Sequence, residues 1–247
     1  MRFTLATIAL APLLLWQGRR VRREALRLPE AAGARAGIEG EGPPLRLLVL
    51  GDSSAAGVGV ADQAHALAGG LVALLSPRHR VHWRLEAGSG DRLADLLARL
   101  EAIAREQFDA VVVAIGVNDA TARTGTAAWR AGLRRLLSGI GTRFGEPTVI
   151  VCAIPPMQVF PALPRPLANW LGIAASRLNQ ASGEVLADDS RAYFLRFDFD
   201  PDPRWMCEDG FHPSAAGYRR WAEAVANALR EHSIAARVNE PDQGELR

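Results

Sequence analysis

Residues 45–54 read LRLLVLGDSS. Leu45–Leu50 is apolar at all but one position, has strand length and lacks helical periodicity, and a Gly51-Asp52-Ser53-Ser54 turn follows at once. A strand apolar on both faces belongs in a parallel sheet that helices cover from each side. Working outward, four more runs of strand length appear: Arg80–Leu85, Ala110–Ile115, Thr148–Ile154 and Tyr193–Phe197. Ala110–Ile115 and Thr148–Ile154 are again nearly continuous, whereas Arg80–Leu85 alternates and suits a position closer to a sheet edge. Helical patterns separate the runs, at Ala61–Leu75, Asp91–Glu106, Ala127–Phe144 and Leu167–Leu186, with Ser214–Glu231 closing the set. In Asp91–Glu106, residues Leu93, Leu96, Leu97, Leu100 and Ile103 share one helical face, as a helix laid on a sheet requires. Strands alternating with helices predict an α/β chain: a three-layer α/β/α sandwich on five parallel strands with right-handed crossovers.

Such sheets bind ligands outside the carboxyl ends of their strands. The polar motifs fall there. Gly51-Asp52-Ser53 follows the first strand, Gly88-Ser89-Gly90-Asp91 the second and Gly116-Val117-Asn118-Asp119 the third, and Asp209-Gly210-Phe211-His212-Pro213 lies between the fifth strand and the last helix. A serine hydroxyl is a weak nucleophile at neutral pH and needs a base within hydrogen-bond reach, itself oriented by a third group. The Asp209-x-x-His212 spacing supplies both from one loop: the carboxylate can reach Nδ1–H and leave Nε2 facing Ser53. Pro213 suits the first turn of the following helix. Negative charge developing on an attacked carbonyl also needs preorganised donors. The turn after Ser53, the backbone of Gly90 and the side-chain amide of Asn118 offer them. Each motif taken alone has a plainer reading as a turn or a helix cap; their joint order at successive strand ends favours chemistry.

Together the four blocks resemble those of the SGNH (GDSL-type) serine hydrolases, over roughly Leu45 to Leu229. The resemblance implies a flavodoxin-like sandwich with a Ser53, His212 and Asp209 triad. It implies an oxyanion hole from the Ser53 N–H, the Gly90 N–H and the Asn118 side chain, with no metal or organic cofactor. Trp205-Met206 is similar to the arylesterase, thioesterase and lysophospholipase branch. The second block departs from the family pattern, which commonly carries an asparagine shortly before its glycine, where this chain has Glu86-Ala87-Gly88-Ser89-Gly90. Gly88 is therefore an alternative donor, and Gly90 is preferred because the Gly-Asp pair at the helix start fits the pattern better. The expected reaction is hydrolysis of carboxylic esters or thioesters through an acyl-enzyme. A carbohydrate O-deacetylase on the same fold and a non-catalytic membrane-associated binding protein are the alternatives. The Pro-rich, apolar stretch from Pro155 to Pro166 is expected to shape the acyl or alcohol pocket.

The ends differ from the domain. Phe3–Trp16 is almost wholly apolar and is followed by Arg19, Arg20, Arg22 and Arg23. It is short for a bilayer span and lacks a clear cleavage site. By the positive-inside rule the arginines stay in the cytoplasm, so residues 1–26 are expected to anchor or rest on the inner membrane face, with export as the alternative. Contact through residues 3–16 would favour lipid-like esters. Residues 27–44, rich in Ala, Gly, Glu and Pro, are expected to be a linker to a hydrolase domain at 45–236, and the charged residues 237–247 a disordered tail. A net charge of +2 in 247 residues gives no argument for a nucleic-acid partner. Cys152 and Cys207 match no metal-ligand spacing, and His65, His79, His82 and His232 lack motif partners, so packing or surface roles are expected for these histidines. Oligomeric state is left open.

Overall fold

The computed structural model describes residues 2–196 and 202–238. Among them, six strands form one sheet: β1 (Ala36–Glu39), β2 (Pro44–Gly51), β3 (Arg80–Ala87), β4 (Ala110–Ala114), β5 (Thr148–Cys152) and β6 (Ala192–Leu195). Their order is β1-β3-β2-β4-β5-β6, with β1 antiparallel to β3 and every other pairing parallel. The helices are α1 (Arg2–Glu24), α2 (Leu67–Leu75), α3 (Leu93–Ala102), α4 (Val117–Ala122), α5 (Thr126–Phe144), α6 (Leu167–Leu186) and α7 (Ala215–Val238). On one face of the sheet, Leu48, Leu50, Val111, Val113 and Val149 pack against α3, α5 and α6. On the other, Leu47, Val49, Val112 and Ile150 meet α2 and α7. The continuous apolarity of β2, β4 and β5 thus has its cause: both faces of these strands are covered.

β2 lies between β3 and β4, so the chain leaves it toward one side of the sheet and later crosses to the other. That reversal opens a crevice at the carboxyl end of β2, where an open α/β sheet places its ligand site. Gly51, the last residue of β2, is required by close approach: a Cβ there would stand 2.2 Å from the Ala114 carbonyl oxygen.

Several expectations need correction. The sheet has six strands rather than five, and the extra one, β1, lies inside the stretch expected to be a linker. All four β1 residues are exposed, so no alternation of apolar residues announces the strand; it is held by backbone pairing to β3. The same stretch is tied to the body of the domain by the Ala31 N–H donating to Ala56 O (3.3 Å) and the Gln63 N–H donating to Ala32 O (2.8 Å). The first helix begins at Leu67 rather than Ala61, because Asp62 caps a short 3-10 turn over Gln63–His65 first. Asn118 and Asp119, expected in a loop, stand in the first turn of α4. The apolar N-terminal segment is part of the 23-residue α1, and its Leu14 is buried in the same apolar core as α6. No helix among the described residues is long and apolar enough to cross a membrane. Of the tail expected to be disordered, Arg237 and Val238 end α7, while residues 239–247 lie outside the described residues, as does Phe197 at the end of the fifth expected strand.

Leu136 of α5 is fully buried, whereas Ile38 on β1 is 53% exposed. Leu136→Ala is expected to lower the free energy of unfolding by about 2–5 kcal/mol, and Ile38→Ala to change it by no more than about 0.5 kcal/mol. Urea titration of both variants checks the contrast, and equal losses would contradict the layer assignment.

Candidate active site

The turn after β2 is fastened before it reaches the serine. The Asp52 N–H donates to Ala114 O at the end of β4 (3.1 Å), and the Ala56 N–H donates back to Asp52 O (2.9 Å). The Asp52 carboxylate accepts from the Ser54 N–H (3.0 Å) and the Ser54 hydroxyl (2.6 Å), closing an Asx turn around Ser53. Asp52 is buried, and burial pushes its carboxyl above the usual range against the pull of those two hydrogen bonds. The Ser53 side chain is left pointing at His212, with Oγ 2.8 Å from Nε2.

His212 comes from a loop that closes on itself. Met206 bridges Pro213, and the Cys207 N–H donates to His212 O (2.8 Å). Within the loop, Asp209 Oδ2 lies 2.6 Å from His212 Nδ1. Its Oδ1 accepts from the Phe211 N–H (2.7 Å), the His212 N–H (2.9 Å) and the Cys207 thiol (3.0 Å). Burial alone would raise the Asp209 carboxyl. The hydrogen bonds from His212, Cys207 and Phe211 outweigh it and hold the group well below the usual carboxylate range. The Cys207 thiol, pushed up to about 11 first by burial, stays protonated and serves as a donor. Its place beside Asp209 distinguishes it from Cys152, which is buried at the end of β5.

The second and third blocks are locked to each other. The Asn118 side-chain N–H donates to Asp91 O (3.0 Å), and buried Asp119 accepts from the Leu93 N–H (2.9 Å) and the Thr124 hydroxyl (2.9 Å). Asp119 therefore caps the start of α3 and sets α4 against the turn that carries Gly90. Burial shifts its carboxyl upward against those donors. Gly90 has φ +87°, a conformation that favours glycine. Its N–H donates no hydrogen bond among the described residues, and neither does that of Ser53, whereas the Gly88 N–H is turned to Gly51 O (3.4 Å). This supports Gly90 over Gly88 as the candidate donor. Ser53, Asn118 and His212 line one cavity of about 480 Å³; Gly90 and Asp209 are not among its lining residues, Asp209 being behind His212.

Other side chains matter here that carry no motif. Tyr218 is fully buried and its hydroxyl donates to Val58 O (2.7 Å), pinning α7 to the turn that follows Ser53. Glu30 accepts from the Ser89 N–H (2.8 Å) and the Ser89 hydroxyl (2.7 Å), bracing the residue before Gly90. Nothing in a lone tyrosine on a helix or a glutamate in an Ala/Gly-rich stretch signals either contact. The cavity beyond the serine is walled by Met157, Phe160, Leu163, Leu167, Trp170 and Phe211, so the Pro155–Pro166 stretch does shape a pocket, and by residues of α1 as well. None of His65, His79, His82 and His232 lines it. Among the described residues no cluster of three or more His, Cys, Asp or Glu side chains is arranged to hold a metal ion.

A hydroxyl on an imidazole, an imidazole on an ionised carboxylate, and unspent N–H donors at the same strand ends can together activate a nucleophile and receive an oxyanion. Comparison with known proteins points the same way. Residues 49–220 match the model of the GDSL-like Lipase/Acylhydrolase family. A GDSL-like esterase of Mycobacterium tuberculosis is 27% identical over 200 residues, which span 76% of this chain and 62% of that protein. The crystal structure of TesA superposes with a TM-score of 0.61 at 24% identity, covering 76% of this chain and 99% of the other. A carbohydrate esterase family 2 enzyme of Corynascus thermopiles (Myceliophthora fergusii), with its carbohydrate-binding domain, gives a TM-score of 0.64 at 16% identity, covering 79% of this chain and 68% of the other. At these identities the structural likenesses speak for the fold.

The depressed Asp209 carboxyl has a consequence for stability. A carboxylate lowered in the folded state contributes stability that is fully present above about pH 5 and is lost as pH falls through the unfolded value near 3.9 toward the folded one. Wild type and Asp209→Asn, unfolded in urea between pH 7 and pH 3, are expected to differ most at neutral pH and to converge in acid. A gap that stays constant would mean that ionised Asp209 is not the stabilising group.

Proposed function

The chain belongs to the GDSL-like lipase/acylhydrolase family, and from that premise we propose that it hydrolyses carboxylic esters or thioesters through a serine-bound acyl intermediate. The observation that carries the reading is the continuous relay from Ser53 Oγ through His212 to Asp209, with contacts of 2.8 and 2.6 Å. In this reading Ser53 Oγ attacks the substrate carbonyl while His212 Nε2 takes its proton. Asp209 stays ionised, holds the imidazole by Nδ1–H and stabilises the imidazolium that forms. The Ser53 N–H, the Gly90 N–H and the second N–H of the Asn118 amide receive the oxyanion. His212 returns the proton to the leaving alcohol or thiol. Water, deprotonated by the same imidazole, then attacks the acyl-enzyme, and collapse of the second tetrahedral intermediate frees the acid and Ser53.

The walls of the cavity favour an acyl chain over a sugar acetate. Apart from the reacting groups and their neighbours Asp52 and Ser54 they are chiefly apolar, with Leu, Met, Phe, Trp, Ala, Val and Pro side chains outnumbering the polar Arg22, Thr121 and Arg123 that a sugar ring could use as hydrogen-bond partners. We infer as well that lipid surfaces are where the substrate is met. The outer side of α1 exposes Leu10, Leu13 and Trp16, the last 57% exposed, with the Arg20 guanidinium 5.7 Å from its ring. Arg19 and Arg23 are exposed on the same helix. Apolar and cationic side chains so mixed suit a helix lying in a bilayer interface rather than crossing it.

Steady-state and burst hydrolysis of p-nitrophenyl acetate and a long-chain homologue tests the chemistry. Ser53→Ala and His212→Ala are each expected to lower kcat by about 10⁴-fold or more with the fold intact by circular dichroism. A folded Ser53→Ala protein turning over at the wild-type rate would overturn the assignment. Asp209→Asn, with the imidazole no longer held in the right tautomer, is expected to lose about 10³- to 10⁴-fold.

A further inference from the structure

We infer that α1 is a wall of the substrate site and that Gly18 sets how long an acyl chain the cavity accepts; the inference rests on the esterase reading above. Ala11, Leu14, Gly18 and Val21 of α1, and Ala25 directly after its last residue, with its N–H on Val21 O (2.7 Å), all line the cavity that holds Ser53 and His212. Their spacing of three, four, three and four residues is one stripe along one side of a helix. The stripe continues past Trp16 into the arginine-rich half, so the cavity-lining side of α1 does not end where the apolar run ends.

The helix is docked there by a specific contact. Gln17 is only 6% exposed, and its amide bonds the backbone at both of its ends: Nε2 donates to Arg165 O (2.8 Å) and Oε1 accepts from the Leu167 N–H (3.1 Å). A buried amide is tolerated when its donor and acceptor are both met. The partners flank Pro166 at the start of α6, and Leu163 and Leu167, on either side of that point, belong to the opposite wall of the cavity. Gln17 thus fixes the distance between the two walls.

Gly18 is the smallest residue of the stripe and alone in it carries no side chain. Glycine within a helix is about 1 kcal/mol less favourable than alanine, and here no contact excludes a side chain: the nearest atom to a built Cβ is the tip of the flexible Arg22 side chain, at 4.0 Å. The space next to Gly18 belongs to the cavity. A leucine at this position would place four carbons there and exclude a comparable length of acyl chain.

The full-length protein tests this with a series of p-nitrophenyl esters from acetate to palmitate and with cis-parinaric acid, a fluorescent fatty acid whose binding needs no turnover. Gly18→Leu is expected to leave kcat/KM for the acetate within about twofold and to lower it for the long esters about 10- to 100-fold. Binding of cis-parinaric acid should weaken at least tenfold, with the thermal midpoint unchanged or raised because leucine is the better helix former. Gln17→Ala, which loosens the wall without filling the space, should raise KM for the long esters and spare the acetate. Equal affinity of wild type and Gly18→Leu for the fatty acid would overturn the inference whatever the turnover. Absence of serine-dependent hydrolysis, with the difference in fatty-acid affinity intact, would overturn the esterase reading and leave the wall standing.

Discussion

The position of β2 between its two parallel neighbours is the constraint from which the rest follows. Because β3 and β4 flank it, the turn at its carboxyl end has neighbouring backbone on both sides, and only a glycine at Gly51 lets that turn pass the Ala114 carbonyl. The turn is then clamped by the Asp52 N–H on β4 and by its own Asx hydrogen bonds. Ser53 is presented by a segment with little freedom left, and the reacting geometry is set before any substrate arrives. The remaining groups are brought to it by separate ties: Tyr218 seats α7 and hence the His212 loop, and Asp119 seats α4 against α3 and hence Asn118 beside the Gly90 turn.

How much of this was legible in the sequence depended on what kind of signal each part carries. β2, β4 and β5 are buried on both faces and read directly as apolar runs; α5 and α6 carry long amphipathic patterns, and their observed spans differ from the expected ones by one residue at most. Ser53, Asn118, Asp209 and His212 were visible because the sheet dictates where polar motifs must fall. β1 was not, since an exposed edge strand is held by backbone hydrogen bonds that any residue but proline can make. α4 was missed because six residues opening on Gly-x-Asn-Asp resemble a turn as much as a helix.

The N-terminal segment illustrates a different limit. Composition separates apolar from charged, and on that basis Phe3–Trp16 and the arginines after it looked like two pieces with a membrane role. The structure makes them one helix, α1, whose cavity-lining stripe runs through both pieces and includes a glycine and an arginine. Gln17, a polar residue of that helix committed to the interior, finds its partners about 150 positions away. No local pattern encodes such a pairing, and periodicity measured on the apolar run alone could not reveal it.

The short strand β1 also bears on how the molecule behaves in company. A sheet whose rim is a long, flat strand offers a row of unpaired amides and carbonyls on which another chain can grow. Eight-residue β3 would be such a rim, and β1 covers only half of it, with Ala36–Glu39 opposite Val81–Arg84. β1 itself is four residues long, and so is β6 at the opposite edge. What composition alone would class as a spacer therefore acts as a selvedge, finishing the half of the β3 edge that it covers.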